Sequence, residues 1–91
     1  MSKRAATYDR TGARTQATVA AGWARRAIQA YNRAVRLGRN STKAVDAVMD
    51  GECHRGEAIE HAGLVCDYGR TVAKVQKQLD AAREKAWRAV L

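Results

Sequence analysis

The chain has 91 residues with 17 Lys or Arg and nine Asp or Glu, which gives a formal net charge of +8. This length fits one domain, and no apolar run approaches the roughly 18 residues that predict a membrane span. Helix-forming residues abound and strand formers are scarce, so the composition predicts an all-α protein. The start lacks the apolar stretch of a signal peptide, so we expect the cytoplasm of a bacterial host cell.

The charge is segregated along the sequence. The net charge is +8 over residues 1–40, −4 over residues 41–69 and +4 over residues 70–91. Residues 1–12 show no apolar periodicity, which predicts a basic N-terminal arm. The remaining residues, 13–91, are predicted to form a single helical domain.

The first predicted helix covers residues 13–37. Its apolar residues fall on one broad arc, and basic residues occupy the opposite side. Arg14, Arg25 and Arg36 are spaced by eleven residues, so they line up along the helix. We call these three residues the arginine ridge. Gly38 is placed where a helix C-cap requires a glycine.

Three further helices are predicted over residues 42–50, 55–62 and 68–90. Ser41 and Asp67 are candidate N-caps, and Gly51 and Gly63 are predicted to stop the two short helices. The inner stripe of the last helix consists of Tyr68, Val72, Val75, Leu79, Ala82, Ala86 and Val90. The predicted fold is therefore a small four-helix domain with long first and last helices.

Residues 42–79 have the layout of a helix-turn-helix, with a scaffold helix, a glycine turn and a basic reading helix. In this interpretation Gly63 supplies the positive φ of the turn, and Leu64 fills the wedge between the helices. Arg70 and its neighbours then project outward toward bases or phosphates.

This segment resembles the TrfB/KorA type of plasmid repressor. The matching motifs are Val48-Met49-Asp50-Gly51, Ala62-Gly63-Leu64 and Gly69-Arg70-Thr71-Val72. The chain departs from the usual spacing because Gly69 stands where a β-branched residue is expected. The resemblance implies a DNA-binding transcriptional regulator of phage or plasmid type.

Two groups of residues are candidates for DNA binding. They are Tyr68, Arg70, Thr71, Lys74 and Lys77 at the start of the last helix, and the ridge residues Arg14, Arg25 and Arg36. Twelve of the 17 basic residues are Arg, whose planar fork matches phosphate oxygens. A solvated basic face, or ion pairs with the acidic middle segment, would explain the same residues without a ligand.

The apolar arc of the first helix looks too wide for one small domain to cover, so we expect a homo-oligomer. The alternative to a DNA-binding regulator is a helical protein-interaction module with a host or phage protein as partner. A phage-encoded inhibitor of the anti-CRISPR type and a virion protein that contacts the genome would both fit.

Cys53, His54, His61 and Cys66 are the residues that a metal site or a disulfide would use. Zinc ligands usually come in pairs about two to five residues apart, and this spacing does not fit. We therefore expect no metal and no cofactor, with buried thiols and histidines on the solvent side. No third group orients a catalytic base beside them, so we expect no enzyme activity.

Overall fold

Residues 2–91 form three helices. The computed structural model describes the backbone of residues 2–91 and the side chains of residue 12 and residues 14–91. The helices are α1 (Ser2–Leu37), α2 (Thr42–Gly63) and α3 (Arg70–Val90), and the described residues contain no strand. The all-α prediction is confirmed, and the prediction of four helices is wrong.

The backbone of residues 2–12 belongs to α1. These residues were predicted to form a basic arm. The side chains of residues 1–11 and 13 lie outside the described part, so the role of this segment stays a prediction.

The turn between α1 and α2 forms as the sequence predicts. Gly38 has a φ of +73°, and its N–H donates to the carbonyl of Ala34 at 3.0 Å. The side chain of Ser41 accepts a hydrogen bond of 3.2 Å from the N–H of Ala44. These bonds satisfy backbone groups that the ends of two helices would otherwise leave unpaired.

The predicted helix break at Gly51 is wrong, because α2 continues through it as one helix of 22 residues. Gly51 is buried against the ring of Tyr31. A Cβ atom at this position would lie 2.5 Å from Cε1 of Tyr31 and 2.6 Å from Cδ1. Gly51 therefore allows the close approach of α1 and α2 and does not end a helix.

The turn between α2 and α3 also differs from the prediction. The described positive-φ glycines are Gly38 and Gly69, not Gly63, and Leu64 is 58% exposed instead of filling a wedge. Tyr68 lies outside α3, has a φ of +58° and is fully exposed, so it does not join the inner stripe. The N-cap of α3 is Gly69 and not the predicted Asp67. The Asp67 side chain, two residues earlier, still accepts a 3.1 Å hydrogen bond from the N–H of Thr71 in the first turn.

α2 and α3 pack in an antiparallel register. A Cβ atom at Gly63 would lie 4.0 Å from Val72, and Glu52 accepts a hydrogen bond of 2.7 Å from Arg83. These two contacts are separated by eleven residues on each helix, so the register runs without a break.

This register excludes the predicted helix-turn-helix core. The chain measures 57 × 18 × 12 Å along its principal axes. α2 and α3 are each about 32 Å long at ~1.5 Å per residue, so both must run close to the long axis. A helix-turn-helix instead turns its helices through about 90–120°.

The core is built mainly from alanine. Its buried residues are Ala20, Ala24, Ala27, Ala30, Tyr31, Ala34, Ala44, Ala47, Val48, Ala58, Ala62, Val75, Leu79 and Ala86. Small side chains let the helices approach closely, which explains how a chain poor in large aliphatic residues forms a core. The α1 alanines in this list are covered within one copy, but Val35 and Leu37 of the same helix remain 38% and 41% exposed. The expected homo-oligomer therefore stays a prediction.

One polar network joins all three helices. Oε1 of Glu52 accepts hydrogen bonds from the Tyr31 hydroxyl at 2.6 Å and from Nε of Arg83 at 2.7 Å. The hydrogen bonds from Arg83 hold the pKa of Glu52 below its usual value, and the Tyr31 hydrogen bond adds to this effect. Burial, followed by the hydrogen bond to Glu52, raises the pKa of Tyr31 well above 10.

We expect the contribution of this network to the stability of the protein to fall at alkaline pH. Because the folded state holds the Tyr31 proton more tightly, the resulting stability is complete below pH ~10 and is lost as the pH rises above it. Urea denaturation between pH 8 and 11 should show a steeper loss for the wild type than for Tyr31→Phe. Equal slopes for the two proteins would contradict the prediction.

Candidate nucleic-acid interface

A shallow groove runs along the surface between α1 and α3. One part has a volume of about 540 Å³ and is lined by Ala17, Ala21, Thr71, Lys74, Val75, Lys77 and Gln78. A second part of about 410 Å³ is lined by Ala17, Thr18, Ala21, Arg25 and Gln78. Three residues are shared, so the two parts form one continuous feature, which we call the α1–α3 groove.

The α1–α3 groove has a floor of small side chains and walls that carry cations. Ala17 and Ala21 form the α1 side of the floor, since neither side chain extends beyond its Cβ atom. Arg25 stands on the α1 wall, and Lys74 and Lys77 stand on the α3 wall. None of the described residues that line the groove is acidic.

The arginine ridge extends this basic surface along α1. Arg14, Arg25 and Arg36 are all exposed, and each successive pair is about 16 Å apart along the helix axis. Among the described side chains, none of the three forms an ion pair. The acidic middle segment instead pairs with Arg33 and Arg83.

Only some of the residues predicted to bind DNA at the start of the last helix line the groove. Lys74, Lys77 and Thr71 line it, but the Thr71 hydroxyl donates to Asp67 and so serves the start of α3. Arg70 is the first residue of α3 and is exposed, although it is not among the residues that line the groove. Tyr68 points from the preceding loop and lies outside both linings.

The fold therefore unites two sets of cations that the sequence places about 50 residues apart. The prediction treated the arginine ridge and the start of the last helix as separate surfaces, but Arg25, Lys74 and Lys77 share one groove. Lys85 was not predicted as a site residue. It is exposed and follows Lys74 by eleven residues, so it lies on the same side of α3.

The opposite charge collects on the outer side of α2. Its exposed acidic residues are Asp46, Asp50, Glu57 and Glu60. Asp50 pairs with Arg33 at 3.2 Å, and Glu57 lies 3.7 Å from His61. The molecule thus has an acidic α2 side and a basic α1–α3 side, which focuses a positive potential on the groove.

The cysteines and histidines do not come together as ligands. Cys53 and Cys66 are free and exposed, so the prediction of buried thiols is wrong. Nδ1 of His61 lies 2.7 Å from Gln16, and the His54 ring lies 5.4 Å from that of Trp23. Among the described residues, no three His, Cys, Asp or Glu side chains are grouped as metal ligands would be.

Comparison with protein-family models, curated proteins and solved structures finds no match to this chain. The resemblance to the TrfB/KorA repressors therefore stays a prediction. Within the described residues, no helix combines the length and the apolar character needed to cross a membrane.

Proposed function

We propose that this protein binds duplex DNA through the α1–α3 groove and the arginine ridge, with phosphates as the main contacts. The observation that carries the proposal is the convergence of Arg25, Lys74 and Lys77 from two helices on one groove whose described lining contains no acid. Neutralisation of phosphates by Arg and Lys supplies most of the affinity in proteins of this kind.

The shape of the surface supports the same ligand. The alanine floor leaves room for a sugar–phosphate strand to lie between the two cationic walls. Arg14 and Arg36 are about 33 Å apart along α1, close to one turn of B-DNA at about 34–36 Å. A straight ridge of this length can therefore meet the backbone of a rigid duplex at several points.

The proposal describes a binding protein without enzyme activity or cofactor, acting in the cytoplasm of a bacterial host cell. More specifically, we propose a transcriptional regulator of phage or plasmid type. A regulator must also prefer one DNA sequence over others. Because α2 and α3 do not form a helix-turn-helix, we expect phosphate contacts to outweigh base contacts.

We expect Arg25→Ala and Lys77→Ala each to weaken the binding of a 30-base-pair duplex and to lower the slope of log K against log salt by about 1. Fluorescence anisotropy between 50 and 300 mM salt measures both quantities. Arg26→Ala and Lys43→Ala are matched controls, because they remove the same charge elsewhere. Arg26 stacks over Trp23 at 4.8 Å, and Lys43 lies on α2.

Three results would contradict the proposal. The first is that the wild type fails to bind duplex DNA. The second is that the control variants weaken binding as much as the groove variants. The third is that single-stranded DNA or RNA binds more tightly than the duplex. If the groove variants abolish binding to an acidic protein while duplex DNA is not bound, the protein-interaction alternative is correct.

A further inference from the structure

An apolar patch lies at one end of the seam between α2 and α3. Val45 is 45% exposed, Met49 is 50% exposed and Leu91 is 79% exposed. The half-buried Trp87 lines the same hollow as Leu91. We call these four residues the α2–α3 patch. Large apolar side chains that cluster on a surface usually mark an interaction site.

The antiparallel register places these residues together. The contacts of Glu52 with Arg83 and of Gly63 with Val72 fix which residues of α2 lie opposite which residues of α3. Continued along both helices, this register sets Met49 level with Ala86 and Trp87, and Val45 level with Val90 and Leu91. The patch therefore spans the seam and is not a set of scattered exposed residues.

We propose that a second copy of this chain covers the α2–α3 patch in a two-fold symmetric dimer. The charge of the molecule favours this face over the others. Two copies of a +8 chain repel each other at the basic α1–α3 side. Beside the patch, the acids Asp80 and Glu84 balance Arg83 and Arg88, so two copies meet there without net repulsion.

The charge order along α3 is complementary to itself. If the two-fold axis passes at the level of Met49 and Ala86, the two α3 helices run antiparallel across it. Glu84 of one copy then lies opposite Arg88 of the second copy, and the reverse pair forms by symmetry. Within one copy these two residues already pair at 2.6 Å, so the dimer would gather four alternating charges.

The surface beside α3 also has room for the second copy. A hollow of about 500 Å³ is lined by Asp80, Arg83, Glu84, Trp87, Arg88 and Leu91. Its apolar residues, Trp87 and Leu91, offer a place for Met49 of the second copy. Trp87 lies about 140° around α3 from Lys74, so Lys74 and the α1 wall of the groove lie away from the dimer face.

Sedimentation velocity between 1 and 500 µM tests the proposal, and we expect a concentration-dependent dimer. Met49→Glu and Leu91→Glu should each raise the dissociation constant at least about tenfold. Leu64→Glu is the matched control, because Leu64 is 58% exposed and lies at the opposite end of α2 from Val45 and Met49. All three side chains are exposed, so circular dichroism should show unchanged helix content.

Exchanging the charges of Glu84 and Arg88 tests whether the two copies associate in this specific two-fold arrangement or only through nonspecific apolar contact. Glu84→Arg and Arg88→Glu should each weaken the dimer, and the double variant should restore it. A monomer at every concentration, a dimer that ignores the Met49 and Leu91 changes, or a double variant that stays weak would overturn the proposal. DNA binding by the groove is measured separately, so either proposal can fail alone.

Discussion

Replacement of Gly51 by alanine is expected to lower the free energy of unfolding by about 1–3 kcal/mol, the usual cost of overpacking. A Cβ atom at this position would lie 2.5 Å from the buried ring of Tyr31, so the ring must move away from α2. That movement also disturbs the hydrogen bond from Tyr31 to Glu52. Urea denaturation at 25 °C measures the change.

Gly56→Ala is the matched control within the same helix. No atom lies within 4 Å of the Cβ that Gly56 would gain, so this variant should stabilise the protein by about 0.5–1 kcal/mol through helix propensity. The two glycines are five residues apart in α2, yet the signs of their effects should be opposite.

A double-mutant cycle distinguishes packing from helix termination. In a Tyr31→Leu background the alanine at position 51 meets a smaller side chain, so its cost should fall markedly. A glycine that ends a helix would cost the same with either residue at position 31. An unchanged cost would therefore contradict the continuous α2 helix.

The ends of the first turn were predictable because they depend on local chemistry. Gly38 and Ser41 act on backbone groups within four residues, so sequence alone identifies them. Gly51 was misassigned because a glycine that ends a helix and one that admits a ring look alike in sequence. The small residues Ala44, Val48, Gly51, Ala58 and Ala62 keep a helical spacing across residues 42–63, and this pattern was the available signal.

The candidate site was predictable as a set of residues but not as a surface. Charge and helical periodicity identified Arg25, Lys74 and Lys77 individually. Their convergence depends on how α3 returns along α1, and this path follows from the loop Leu64–Gly69 and the packing of Val75 and Leu79. The arrangement of helices in space does not appear as a periodic pattern in the sequence, so it could not be predicted from it.

The second large effect is expected at Glu52, where replacement by Gln should lower the free energy of unfolding at pH 7 by about 1–3 kcal/mol. Glu52 accepts hydrogen bonds from Arg83 and Tyr31, and an uncharged amide binds a guanidinium more weakly. The Arg83 side chain is 40% exposed, so solvent screening places the value toward the lower end of this range.

The pH dependence identifies the charge of Glu52 as the cause. Arg83 and Tyr31 lower the pKa of Glu52 in the folded state, so its contribution is complete above the unfolded value of about 4.5 and is lost as the pH falls through the folded value. The difference in stability between the wild type and Glu52→Gln should therefore shrink from pH 7 to pH 3. Glu60→Gln, an exposed change on the same helix, should show little difference at either pH. A constant gap for Glu52→Gln would mean that packing, and not the carboxylate charge, makes Glu52 important for stability.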